Sequence, residues 1–234
     1  WVVGEPLMQI LIITIFITLI REFRGSISIP GNIPIFMFLA CGIIPFFMFR
    51  NIVTQLMGGI AGNLSLFFYK PVRPIHVFLA RTLLEFCIYS VIFLCVMILV
   101  GWFVGYDVFP RDFLAAFGCV ILMVLSGFSI GVIFAIITHF VEPLKIFLTY
   151  IIMALYLLSC VVFPIWIIPT ALLEYFLYNP ILHICESLKY YYFDSYPLVD
   201  GINLMYPIVF NIIMLFIGFW FYYYKRRELV ASRP

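Results

Sequence analysis

From Phe113 to Phe140 the chain runs without one Asp, Glu, Lys or Arg, and from Val77 to Val104 only Arg81 and Glu85 interrupt an apolar stretch. Apolar runs of this length exceed what a core helix needs and match the ~20 residues that cross a ~30 Å hydrocarbon layer. No period-two alternation accompanies them, which argues against a membrane barrel. Composition agrees: 66% of residues are hydrophobic and 10% charged, where an ordinary chain is about a quarter charged. The fold class read from this is all-α, a polytopic membrane protein.

The pattern predicts six transmembrane helices, at about 2–20, 35–56, 77–104, 113–140, 146–168 and 204–224, in one transmembrane domain covering 1–234. Arg21 to Gly25 and Lys225 to Glu228 are expected to end the first and last. Pro45 is expected to kink the second span and Pro164 to break the fifth, and the spans to rock around these two prolines. Ser126-Gly127-Phe128-Ser129-Ile130-Gly131 puts small residues at helical spacing, which lets a neighbouring helix approach closely. Six spans leave both chain ends on one side. Taking that side as cytoplasmic places nine of the 13 basic residues inside: Arg50, Lys70, Arg73, Arg81, Lys145, Lys225, Arg226, Arg227 and Arg233. Arg21, Arg24, Arg111 and Lys189 remain outside, with Glu22, Asp107, Asp112, Glu174, Glu186, Asp194 and Asp200, as the positive-inside rule requires.

Two segments interrupt the spans. In residues 58–76, GGIAGNLSLFFYKPVRPIH, two glycine-rich steps lead to the apolar run Leu64 to Tyr69 and then to Lys70-Pro71-Val72-Arg73-Pro74. The prolines bar helix continuation and bias Lys70 and Arg73 toward extended backbone. A compact turn held between two long spans suits docking of a cytosolic partner; composition alone equally fits an ordinary basic inner loop. In residues 170–193, TALLEYFLY (170–178) is too short to cross, Asn179-Pro180 breaks it, and 181–193 starts a second short helix. This reads as an outer re-entrant helical hairpin, which needs protein or water around its break and is placed to plug or gate a pathway.

Single residues leave alternatives open. Arg81 and Glu85, spaced i,i+4, fit an ion pair or a lipid-headgroup contact, and equally a snorkelling arginine with a helix-surface partner. Arg50 fits an anionic-lipid contact or a topological anchor. Tyr175, Phe176, Tyr178 and Tyr190 to Phe193 outside, and Tyr222 to Tyr224 inside, fit an interfacial belt; flat faces lining a sugar path are the other reading. Tyr156, Phe163 and Trp166, around Pro164, are the pathway candidates on the fifth span. His76, His139 and His183 lie far apart and read as structural. Of six scattered cysteines, five lie inside apolar runs and read as small buried hydrophobes, with neither a disulfide framework nor a metal site expected. The chain opens at Trp1 without a Met, so a preceding segment is expected.

Absent patterns narrow the chemistry. No GxxxxGK[ST] is present to cradle a nucleotide phosphate. No DxD serves a transferase acting on lipid-linked sugars, and Glu5, Glu85 and Glu142 stand isolated. Mid-span ionisable residues, which an ion-coupled carrier would want, are scarce. The net charge of +2 gives no nucleic-acid footprint.

Several motifs then carry a resemblance, in order along nearly the whole chain: W-x-x-x-E-P (Trp1, Glu5, Pro6), I-P-F-F (Ile44 to Phe47), and L-F-x-Y-[KR]-P-V-[KR]-P-I (Leu66, Phe67, Tyr69, Lys70, Pro71, Val72, Arg73, Pro74, Ile75). A-R-x-L-L-E (Ala80 to Glu85), S-C-x-x-F-P (Ser159 to Pro164) and N-P-[IL]-x-H (Asn179 to His183) follow. The chain resembles the permease subunits of polysaccharide-exporting ABC transporters, the capsule branch more than O-antigen or teichoic-acid relatives. That resemblance implies a homodimer in the bacterial inner membrane, both termini cytoplasmic, with two cytosolic ABC ATPases that bind ATP and Mg and no cofactor in this chain. It implies a coupling helix within 58–76 that uses Asn63, Leu66, Phe67, Tyr69, Lys70, Pro71, Arg73 and Pro74. It further implies a path or gate at Tyr156, Phe163, Pro164, Trp166, Tyr175, Tyr178, Asn179 and Pro180, with Arg50, Arg81 and Glu85 at headgroups or in ion pairs. Lipid-linked capsular polysaccharide would be the cargo, and a periplasmic adaptor would link to an outer-membrane exporter. The family's basic amphipathic N-terminal helix has no counterpart in this sequence. An exporter of O-antigen or teichoic-acid polymer, and a membrane-embedded transferase, are the alternatives.

Overall fold

The computed structural model describes residues 4–24, 33–68, 72–105 and 108–230. Eight α-helices and no strand form among them: α1 (Gly4–Arg24), α2 (Ile35–Met57), α3 (Pro74–Val104), α4 (Phe113–Phe140), α5 (Leu144–Leu158), α6 (Thr170–Phe176), α7 (Pro180–Tyr192) and α8 (Met205–Val230). The fold is therefore all-helical, as expected.

The helices differ sharply in burial. α2 packs against α1, α3, α4, α5 and α7, and 78% of its apolar stretch is buried, against 28% for α3 and 17% for α8. Leu94, Leu99 and Trp102 on α3 and Ile212, Phe216 and Trp220 on α8 point outward and exposed. Contiguous apolar surface of this extent suits hydrocarbon rather than water. Four helices (α2, α3, α4 and α8) are long and apolar enough to cross a membrane. α5 has 15 residues, about 22 Å at 1.5 Å per residue, and the apolar stretch of α1 is Leu7–Phe16.

The small-residue run in α4 makes the close approach that its spacing predicts. A Cβ on Gly127 would lie 3.2 Å from Ile52 Cβ, and one on Gly131 would lie 2.9 Å from Leu56 Cδ2, both on α2. Buried Ser126 and Ser129 donate to carbonyls of their own helix, Leu122 at 2.9 Å and Ser126 at 3.1 Å, so the tight seam leaves neither hydroxyl unpaired. α8 joins the opposite side of α4 at Gly218, where Asn211 also donates to Leu122 O at 3.3 Å.

Several boundaries differ from the sequence expectation. α1 continues through Arg21 to Arg24, and α8 runs through Lys225 to Glu228 to Val230. Lys, Arg and Glu are good helix formers, and Lys225 pairs with Glu228 at 2.7 Å. α3 starts at Pro74, inside the expected loop, because proline at a first helical position lacks only an N–H that would be free anyway. α2 runs unbroken through buried Pro45. The expected span 146–168 is not one helix: α5 stops at Leu158, Cys160 adopts a left-handed φ of 50°, and only Ile165–Ile167 turn again, as a 3-10 helix. The break thus falls before Pro164, which is extended and buried. Residues 170–193 form the expected helix–break–helix as α6 and α7.

Candidate functional site

The loop that follows α2 is built on the end of that helix. Gly58 N–H returns to Thr54 O at 3.3 Å and Gly59 N–H to Leu56 O at 2.9 Å, closing the helix on itself. Its free carbonyls are met from two other helices: Arg81 on α3 donates to Gln55 O at 2.9 Å, and Thr138 on α4 donates to Met57 O at 3.3 Å. A cation at a helix C-terminus also matches the helix dipole. Arg81 reaches Gln55 Oε1 as well, at 2.8 Å, and lies 3.6 Å from where a Cβ on Gly62 would sit. One guanidinium therefore joins α3, the end of α2 and the loop.

Ala61–Phe68 follows as a 3-10 helix, bent at Asn63 (φ −132°, ψ 21°), whose side chain donates to Gly59 O at 2.8 Å. Phe67 is buried and Leu64 and Ser65 are exposed. Tyr69, Lys70 and Pro71 lie outside the described residues, as does the side chain of Leu66. Arg73, exposed and extended, precedes α3; its N–H donates to His76 Nδ1 at 3.3 Å, and Pro74 is buried.

Arg81 and Glu85 do not pair. Glu85 is buried, with the Asn51 side chain beside it and its Oε2 without a hydrogen-bond partner. Arg50 instead binds Glu5 of α1 at 2.7 Å, with its guanidinium 4.1 Å from the centre of the Phe47 ring. Gln9 of α1 donates to Tyr156 OH on α5 at 2.8 Å, and the Tyr156 ring packs on Phe46 and Phe47. These side chains link α1, α2 and α5.

On the other side, Asn179 caps α7 by accepting from Ile181 N–H at 3.0 Å, and its amide donates to Ser159 Oγ at 2.9 Å. Pro180 takes the first helical position. The His183 ring spans Leu177 O at 2.8 Å and Asn203 N–H at 3.0 Å. Because the backbone N–H can only donate, Nδ1 accepts and Nε2 carries the proton, a structural role in keeping with its reading from sequence. Tyr175 and Tyr178 are exposed.

A charged cluster that sequence reasoning missed lies beneath this hairpin. Lys189, counted above among outer surface charges, is 0% exposed. Its Nζ donates to Glu186 Oε1 at 2.8 Å and to Cys160 O at 2.7 Å, and stands 4.5 Å from the Phe38 ring centre. Tyr196 OH donates to Glu186 Oε2 at 2.7 Å. Burial, then the adjoining Glu186 carboxylate, push the Tyr196 phenol far above its ordinary range and keep it a donor. The pathway candidates pack around this cluster: Trp166 against Tyr196, with ring centres 5.2 Å apart, and Phe163 against Cys160, Ile165 and Leu182. The available signal was Glu186 and Lys189 at i,i+3 within an apolar helix. The six cysteines are free; Cys87 and Cys95 are exposed, unlike the buried hydrophobes expected. Among the described residues no group of three or more His, Cys, Asp or Glu is placed to hold a metal ion.

Comparisons bear on the whole chain. It is 31% identical over 233 residues to the polysialic acid transport protein KpsM of Escherichia coli, covering 99% of this chain and 87% of that protein. It is 28% identical over 224 residues to the capsule polysaccharide export inner-membrane protein CtrC of Neisseria meningitidis serogroup B, covering 93% and 80%. The capsule polysaccharide export inner-membrane protein BexB of Haemophilus influenzae is 24% identical over 222 residues, with the same coverage. The profile of the ABC-2 type transporter family matches residues 2–193, spanning both the loop after α2 and the α6–α7 segment, and the chain belongs to that family.

Proposed function

We propose that this chain is the membrane-spanning subunit of an ATP-driven exporter that moves lipid-linked capsular polysaccharide across a bacterial inner membrane. The near-full-length similarity to the Escherichia coli polysialic acid transport protein carries this reading. Two such chains pair, and two cytosolic ATPases supply ATP and Mg, since this chain has no phosphate-cradling loop. Six crossings, by α1 to α5 and α8, put both termini in the cytoplasm; α5 completes its crossing with residues 159–168. Residues 58–76 seat in the ATPase through Asn63, Leu66, Phe67, Tyr69, Lys70, Pro71, Arg73 and Pro74. Residues 170–193 re-enter from the outside and cover the polymer path, with a periplasmic adaptor above them. The protein contributes a shaped passage and no covalent chemistry.

The test co-purifies this chain with the ATPase encoded beside it and follows capsule at the cell surface, with and without Lys70→Glu plus Arg73→Glu. A complex and surface capsule, both lost on charge reversal, are the expected results. Export that survives the reversal, or the lack of any ATPase complex, overturns the reading.

A further inference from the structure

α3 and α4 stand apart toward residues 108–112 and leave a cavity of about 740 Å³ between them, floored by α2 and α7. That volume falls within the ~300–1,000 Å³ of small-molecule sites. Its wall is mostly apolar, with Met48, Phe93, Met97, Ala116, Val120 and Leu188 among others, and Ser90 adds a single small hydroxyl beside the two tyrosines. The two phenols that reach it are already engaged, Tyr89 OH by the Asn51 amide at 2.6 Å and Tyr192 OH by Val108 O at 2.6 Å. A sugar polymer would leave its hydroxyls unpaired here, so the cavity is not a stretch of polysaccharide path. A partner's transmembrane helix, about 10–12 Å wide with side chains, would lie across the opening rather than enter.

One cation lies beside the mouth without lining it. Arg111 sits between lining residues Pro110 and Phe113, and its N–H is tied to Tyr192 O at 3.2 Å. Its guanidinium lies 5.5 Å from the Tyr190 ring centre, and no carboxylate among the described residues pairs with it. The neighbouring Asp112 carboxylate turns back onto Ala115 N–H at 3.1 Å to cap α4. Trp102, Phe109 and Phe113 rim the opening and are exposed to the surroundings of the helices.

We propose that this groove is a binding site for an anionic glycerophospholipid, one acyl chain lying between α3 and α4 and the phosphate held by Arg111. A chain leaving the bilayer for the groove gains no hydrophobic energy, because both are apolar. Retention therefore comes from packing and from the charge-assisted contact, and the site prefers an anionic headgroup.

Phosphatidylglycerol with a photoreactive diazirine in its acyl chain tests this on the full chain in complex with its ATPase, reconstituted in lipid. Diacylglycerol carrying the same diazirine acyl chain, which lacks the phosphate, is the control. The adducts are expected on residues 89–120, with phosphatidylglycerol favoured by roughly tenfold, the scale of one hydrogen bond to a charged group. Arg111→Gln removes the headgroup preference. Leu94→Trp fills the groove from a position 57% exposed, sparing the core, and brings labelling to background. Adducts spread over α3, α4 and α8 in proportion to exposed area, or unchanged by Leu94→Trp, overturn the proposal. So does a disulfide between Trp102→Cys and a cysteine scanned through a co-purifying subunit's membrane helix, which would show that helix covering the mouth in place of a lipid.

Discussion

Lys189→Met removes the cation from the buried cluster on α7. The Glu186 carboxylate, 2% exposed, then keeps only the Tyr196 hydroxyl, and Cys160 O loses its donor. Stranding one member of a buried pair costs about 3–5 kcal/mol. At ~2–4 °C per kcal/mol for a chain of this size, the melting temperature should fall by about 6–20 °C. Glu186→Leu should cost a similar amount. The double variant Glu186→Leu plus Lys189→Met leaves no buried charge, only Tyr196 OH and Cys160 O unpaired, at about 1–3 kcal/mol each. It should therefore lose about 2–6 kcal/mol where the singles sum to about 6–10. Temperature-ramped size-exclusion chromatography of the detergent-purified protein reads all three. Strict additivity, or a shift below about 1 °C for Lys189→Met, would refute the buried pair as a coupled unit.

Other substitutions probe the same frame. Gly42→Ala puts a methyl group into the Val161 carbonyl oxygen, which backbone cannot easily yield; a loss of about 1–3 kcal/mol is expected in the same melting assay. Glu5→Gln should change stability by less than about 1 kcal/mol, because the Arg50 ion pair is only half buried, at 27% and 41% exposure. Arg81→Ala should leave the melting temperature within a few degrees yet speed amide exchange across residues 58–68, as Gln55 and the Gly62 turn lose their shared anchor. Hydrogen exchange read by mass spectrometry decides this, and unchanged exchange would remove Arg81 from that role.

What could be read in advance followed the strength of local signals. α4 begins and ends at the residues expected, because an uncharged run meets Asp112, a side-chain cap, at one end and a proline turn after Val141 at the other. α3 was placed three residues late because Pro74 looked like a stop, although proline stops a helix only beyond its first turn. The fifth span breaks at Ser159 and Cys160 rather than at Pro164, because the break rests on contacts from distant sequence, Ser159 with Asn179 and Cys160 with Lys189. The Glu186–Lys189 pair was hidden for the same reason, since sequence gives the charges without the Phe38, Cys160 and Tyr196 that enclose them. Residues grouped as a pathway share a neighbourhood, but Tyr156 and Trp166 are held there by α1, α2 and Tyr196.

The two ends of α2 hold the two interrupting segments. Its last turn carries the Arg81 anchor and the glycine turn of the loop that follows it. Its first turns carry Phe38 against Lys189 and Gly42 against the Val161 backbone. The helix has 23 residues, about 35 Å end to end, and Pro45 lies buried within an unbroken run. Close packing of α4 glycines on Ile52 and Leu56 leaves little room for α2 to bend there. If the proposed ATPase presses on residues 58–76, the displacement would travel along α2 as a rigid rod and arrive at the Lys189 cluster. The left-handed turn at Cys160, which Lys189 binds, lies just beyond the end of α5. Yielding would then begin at residues 159–164, between α5 and the hairpin, with α2, α4 and α7 moving as one body.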